Sequence, residues 1–268
     1  VPLSPIAPPP ERFAIRGVKN APPAPVDDAH EPHSPIGPPP WLPLGLGLGV
    51  AFLLHALLPC MFAWFLAAIP HEMGHATVGC LLGRPSAPAI SLAGHAWTGI
   101  QNQVPALVWL YVAGLAGAAW WQRAHVLRAA LLGGAALVLP LVAFTGLAEI
   151  AIAAAGHLGE LAFAAWCYAT CWRGGYTGTL QERIAGATAG ALLQFQNLRL
   201  CWGLLTDAGA RELYASNGSL GLKNDYLVLA EDLCHCHLQS VAMLMFVVAL
   251  AALPLGLLAG WLRTRADR

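Results

Sequence analysis

Two histidines and a glutamate stand together in His71-Glu72-Met73-Gly74-His75. On a helix, at about 100° of rotation per residue, positions four apart lie about 40° from one another, so both imidazoles can meet at one tetrahedral metal ion. Glu72 sits beside that pair without joining it. A carboxylate so placed can take a proton from a water that zinc has acidified to a pKa of about 7, and then deliver it to a leaving amine. The pattern is a metalloprotease signature. It makes His71 and His75 metal ligands, Glu72 the catalytic base and then acid, and zinc the implied cofactor.

Zinc in a hydrolytic site needs a third protein ligand and a further position for water. A second polar group set in apolar sequence, Gly156-His157-Leu158-Gly159-Glu160, supplies candidates. On a helix Glu149, Gly156, His157 and Glu160 project within about 100° of arc, a polar, small-sided face that lets another helix come close. Glu160 is the first choice because it completes a His-His-Glu set. His157 would complete His-His-His, and whichever residue is not the ligand is expected to orient one. Asp225, in Lys223-Asn224-Asp225-Tyr226, is a third candidate. His55 reads as a packing residue, His95 as a group able to reach the mouth of the site, and Cys234-His235-Cys236-His237 as a weaker cluster in which only 234 and 237 share a helical face.

The elements that must hold these residues are written in the charge distribution. The chain of 268 residues is 57% hydrophobic and only 10% charged, which excludes an ordinary water-soluble globule. Its 14 Lys+Arg balance its 14 Asp+Glu, leaving no basic surface for nucleic acid. The seven cysteines are odd in number and lie mostly in apolar runs, so no disulfide framework is implied.

No Asp, Glu, Lys or Arg occurs between Glu31 and Glu72, Arg84 and Arg123, Arg128 and Glu149, or Asp232 and Arg263. Each gap is long enough to cross hydrocarbon. Residues 41–70 are read as two helices, the second entering the motif with Pro70 in its first turn. Residues 150–172 are a further span interrupted by Glu160. An ionisable side chain at such depth is by default a functional residue. The other readings of the motif are a satisfied polar knot between helices, or haem ligation through His75 and His157.

The expected fold is therefore all-α: a polytopic membrane helix bundle of about five to six spans with a small hairpin-like insertion. Residues 1–40 form a disordered Pro-rich extramembrane arm carrying the near-repeat Ser4-Pro5-Ile6-Ala7-Pro8-Pro9-Pro10 and Ser34-Pro35-Ile36-Gly37-Pro38-Pro39-Pro40. Residues 41–175 form the membrane core, 176–237 an interfacial polar helical segment, and 238–268 a last span with a basic tail. Arg263, Arg265 and Arg268 place that tail in the cytoplasm by the positive-inside tendency, and the expected location is a bacterial inner membrane. Tryptophans 41, 109, 120, 121, 172 and 261 fall near the expected span ends, as belt residues do.

The stretch Ala67-Ala68-Ile69-Pro70-His71-Glu72-Met73-Gly74-His75-Ala76, followed by Gly79, Leu82, Gly83 and a Pro-rich hairpin-like segment over 85–99, resembles the first core helix and following strand segment of the site-2 protease family of intramembrane zinc metalloproteases. Ala113-Gly114-Leu115-Ala116-Gly117 is loosely similar to that family's small-residue segment beside the site. The resemblance implies a later Asp as third ligand, usually in a Leu-Asp-Gly context. The nearest equivalent here is Asn224-Asp225, in a polar segment and without the Gly.

The expected activity is hydrolysis of a peptide bond in a membrane-associated polypeptide, with the 85–99 segment offering an edge strand to an extended substrate. The expected partners are the bilayer and that substrate, or neighbouring membrane subunits. The alternative is a non-catalytic assembly subunit that keeps a protease-like fold.

Overall fold

The computed structural model describes residues 39–58, 61–91, 95–174, 178–216 and 223–266; the Pro-rich arm over 1–40, its last two residues apart, lies outside them. Among the described residues the chain forms nine α-helices and one two-stranded sheet. Two helices stand over the first apolar stretch, α1 (Trp41–Leu57) and α2 (Met61–Leu81). The first ends at Leu57, and Pro70 lies inside α2 rather than in its first turn. A proline there denies the Leu66 carbonyl its usual donor. The helix continues through it because Ala67 and Ala68, on the turn before, are buried against the body of the protein.

A left-handed cap ends α2. Gly83 has φ +75°, Gly83 N donates to Cys80 O at 2.9 Å, and Arg84 N donates to Gly79 O at 2.9 Å. The turn feeds a hairpin of β1 (Ser86–Ile90) and β2 (Ala96–Ile100), antiparallel with Ser86 opposite Ile100 and Pro88 opposite Thr98. Ser91 N donates to His95 O and Gln101 N to Pro85 O, which makes the odd-numbered residues of β1 the bonded pairs. Residues 86, 88 and 90 therefore turn their backbone polar groups away from β2, and Ser86 N meets Cys80 Sγ of α2 at 3.4 Å. Proline is tolerated at 88 because its missing N–H is on that outer side.

Next come α3 (Pro105–Trp121) and α4 (Val126–Ala143), a helical pair anchored on the rest through Leu82, Val108, Ala143, Ala148 and Ile152. At the centre is α5 (Leu147–Arg173), packed against α2, α9 (Leu238–Ala266) and α6 (Leu180–Thr206). Thr179 caps α6 by accepting from Glu182 N at 3.3 Å. The segment expected to be interfacial thus contributes α6 to the interior, where Ala187, Ala191, Leu193 and Asn197 are buried. After α7 (Ala208–Ser216), the short α8 (Asp225–Leu227) runs into a π-helical turn, Val228–Leu233.

Among the described residues three helices, α4, α5 and α9, are long and apolar enough to cross a membrane; α1 and α3 are apolar but shorter. Trp121, Leu127 and Leu137 are each more than 70% exposed, a surface suited to lipid rather than water.

The crossing of α2 and α5 depends on glycine at two places. A Cβ on Gly74 would collide with the Ala155 carbonyl, and one on Gly159 would lie 2.5 Å from Pro70 O and 2.9 Å from Gly74 Cα. In α4, a Cβ on Gly134 would meet nothing within 4 Å. Gly159→Ala is therefore expected to destabilise the detergent-solubilised chain by about 1–3 kcal/mol. Gly134→Ala should leave its thermal unfolding midpoint unchanged or raise it.

Candidate metal centre

The close crossing brings the motif of α2 against the Gly156-to-Glu160 turn of α5. His75 Nδ1 donates to the Ile152 carbonyl at 2.7 Å, and His71 Nδ1 lies 2.6 Å from Glu160 Oε1. With the Nδ1 positions so engaged, each ring turns its Nε2 inward. His71 Nε2 and His75 Nε2 are 3.2 Å apart, and Asp225 Oδ2 lies 3.0 Å from the first and 3.2 Å from the second.

Three electron-pair donors thus form a nearly equilateral triangle. A tetrahedral ion bonded at about 2.0–2.1 Å has ligand atoms about 3.3 Å apart, so the triangle is close to one face of such a tetrahedron. Neutral imidazoles with protonated Nδ1 atoms and an ionised carboxylate would repel across these distances. A cation, or protons in its place, makes the arrangement favourable. Burial acts to raise the pKa of Asp225, but the hydrogen bonds and charges of His71 and His75 outweigh it and hold its carboxyl well below the usual carboxylate range. Gly156 provides the room: a Cβ there would lie 2.5 Å from His75 Nε2 and 2.6 Å from His71 Nε2. The donor set and this cradle fit a divalent ion such as zinc.

The other sequence candidates fall around this triangle. Glu160 stands on the far side of the His71 ring and is 3% exposed. Its second oxygen accepts from Asn197 Nδ2 at 2.6 Å. His157 Nδ1 meets Asn197 Oδ1 at 3.1 Å and Glu160 Oε1 at 3.4 Å, while its ring packs on Tyr226. His71, His157 and Glu160 are themselves near enough to be a second possible ligand set. Glu72, 6% exposed, is held from the hairpin: Thr98 Oγ1 lies 2.6 Å from its Oε2 and 3.0 Å from its backbone oxygen.

His71, Glu72, His75, His157, Glu160 and Asp225 open onto one cavity of about 890 Å³, which β2 lines through Ala96, Trp97, Thr98 and Ile100 while no residue of β1 does. Arg84 and Lys223 also line it, Arg84 paired with Glu149 and Lys223 with Glu231 and Asp232.

His95 is exposed and not part of the cavity wall. The ring of His55 packs edge-on against Phe195. Cys234 to His237 lie in a non-helical link, so the helical spacing expected of them does not apply, and no set of potential ligands among the described residues includes them.

Sequence reasoning missed Asn197 and Thr98. Asn197 ends Gln194-Phe195-Gln196-Asn197, three amides in one turn of a helix that is otherwise rich in small and apolar residues, and that density was the available signal. Thr98 is one of several small polar residues near the hairpin, and nothing in its spacing marks it.

In the purified chain, Gly156→Ala is expected to keep its helical circular dichroism while losing the capacity to retain one equivalent of divalent metal, as measured by metal analysis after gel filtration. Comparison with known protein families, curated proteins and solved structures finds no match to this chain.

Proposed function

We propose that this chain is a zinc-dependent intramembrane metalloprotease that hydrolyses a peptide bond of a membrane-associated polypeptide. The observation carrying the reading is the convergence of His71, His75 and Asp225 beside the buried carboxylate of Glu72, at the wall of a cavity bordered by a strand edge. In this reading the ligands are His71, His75 and Asp225. Glu160 sits at hydrogen-bond distance from Nδ1 of a ligand ring, shorter than the spacing of two ligands on one tetrahedral ion, and so supports a role behind that ring.

A zinc ion held by His71, His75 and Asp225 would supply Lewis acidity to a bound water and to the scissile carbonyl. Glu72 accepts the proton of that water and passes it to the departing amide nitrogen. Thr98 holds one oxygen of Glu72, which fixes the plane of the carboxylate. By the hairpin register, the backbone N–H and C=O groups of residues 96, 98 and 100 point away from β1. An extended polypeptide added at that edge would run along the cavity past Glu72.

The location that fits is a bacterial inner membrane. There α1, α2 and α3 join α4, α5 and α9 as spans; α1 and α3, at 17 residues each, meet the lower limit of about 17 for crossing hydrocarbon.

The test pairs metal analysis with proteolysis of a model transmembrane peptide in detergent or vesicles. The wild-type chain is expected to hold one zinc. Glu72→Gln should keep that zinc and lose about 10²–10⁴-fold in cleavage rate, whereas Asp225→Asn should lose both metal and cleavage. A chain that binds no metal, or whose Glu72→Gln variant affects only assembly with other membrane proteins, belongs instead to the non-catalytic subunit class.

A further inference from the structure

Behind the three converging donors runs a second layer of polar side chains buried between α2, α5 and α6. Glu160 is 3% exposed and Asn197 1% exposed. Glu160 Oε1 takes the Nδ1 proton of His71 at 2.6 Å, and Oε2 takes one amide proton of Asn197 at 2.6 Å. The second amide proton of Asn197 goes to the Leu193 carbonyl at 3.0 Å, and its Oδ1 accepts from His157 Nδ1 at 3.1 Å. Every polar atom of Asn197 is thus engaged, and with it both oxygens of Glu160. A side chain so fully committed has one rotamer, and it passes that rigidity to the ring it touches.

We infer that Glu160, clamped by Asn197, is a positioning residue that acts on the metal through His71. The inference rests on the metal reading proposed above. A carboxylate on the Nδ1–H of a ligating imidazole fixes the tautomer, pins the ring plane and makes Nε2 a stronger donor. Charge points the same way. An ionised carboxylate excluded from water is costly unless a cation stands near it. The basic residues lining the cavity, Arg84 and Lys223, are engaged by Glu149, Glu231 and Asp232. A polar knot serving only to join helices would need no net charge. A charge that reaches an ion through a conjugated ring has a use for one.

His157 extends the layer toward the third ligand. Its ring lies 4.8 Å from the His71 ring and 4.4 Å from that of Tyr226, the neighbour of Asp225 in sequence. One buried assembly therefore supports the groups on both sides of the centre.

The experiment uses the full chain in detergent, stripped with chelator and titrated with zinc against a chromophoric competitor. Thermal unfolding of the metal-free forms is recorded in parallel. Glu160→Gln is expected to weaken zinc binding by about 10–100-fold without lowering the midpoint of the metal-free chain, because the amide keeps the side chain's volume and its oxygen can still accept from His71 Nδ1. In the cobalt(II)-loaded protein, the same substitution shifts the visible ligand-field bands. Asn197→Ala weakens zinc by no more than Glu160→Gln, and the double variant is no weaker than Glu160→Gln alone, since the amide acts through the carboxylate.

Unchanged affinity in Glu160→Gln with metal lost in Asp225→Asn overturns this inference and leaves the metalloprotease reading standing. So does a weakening matched by a fall in the metal-free midpoint. If Glu160→Gln abolishes binding and Asp225→Asn spares it, Glu160 is a ligand, and both this inference and the proposed ligand set fail. If the wild-type chain and Asp225→Asn alike take up no zinc, the metal reading fails and this inference with it.

Discussion

Three lone pairs aimed at one point constitute the constraint from which the rest of this structure follows. His71 Nε2, His75 Nε2 and Asp225 Oδ2 lie 3.0–3.2 Å from one another, a spacing that mutual repulsion disfavours unless positive charge lies among them. Each donor is held in place by something behind it. The Ile152 carbonyl fixes one ring, Glu160 fixes the other, and the turn from α8 into Val228–Leu233 carries the aspartate. The glycines of α2 and α5 follow from the same demand, since rings on one helix can use carbonyl and carboxylate acceptors on another only if the two backbones nearly touch.

The site combines a low-dielectric setting with a high density of formal charge. Glu72, Glu160 and Asp225 are three acidic groups within a few side chains of one another, and the nearby histidines are the groups left to answer them. Such a cluster is expensive in an apolar bundle. Its persistence among helices whose outer surfaces are leucine, valine and tryptophan is what separates a chemical centre from a packing accident. The hairpin completes it: Thr98 ties the Glu72 carboxylate to a strand whose edge borders the same cavity.

Much of this was legible in the sequence, and the failures have physical reasons. The two histidines four apart, the glutamate between them and the polar face of 156–160 could be read because helical periodicity converts spacing directly into direction. Two helices do occupy 41–70, but the first ends at Leu57 and Pro70 lies inside the second, because buried alanines on the preceding turn outweigh one lost hydrogen bond. Of the five to six spans read from charge gaps, three helices among the described residues meet the length and apolarity needed for crossing, and α1 and α3 are apolar but shorter, since a gap in charge measures the absence of ions and not the length of a helix. Sequence alone puts Glu160 first and Asp225 third as the remaining ligand, a ranking made on ligand chemistry without geometry. That choice turns on which nitrogen of an imidazole faces which acid, a matter of how two helices are rotated against each other. Asn197 escaped notice for a related reason: its segment is polar enough to suggest a surface, and only tertiary packing reveals that the polarity is directed inward.

The proline at position 88 bears on how copies of the chain coexist in a crowded bilayer. An isolated hairpin has two open margins, and in a sheet of two strands either can recruit a neighbour and seed uncontrolled association. Here one margin is interrupted by an imino acid and shielded at Ser86 by Cys80, while the other borders the molecule's own cavity. Polymerisation through the blunted side is thereby disfavoured, and the strand that can still accept a guest accepts it only beside Glu72 and the converging donors.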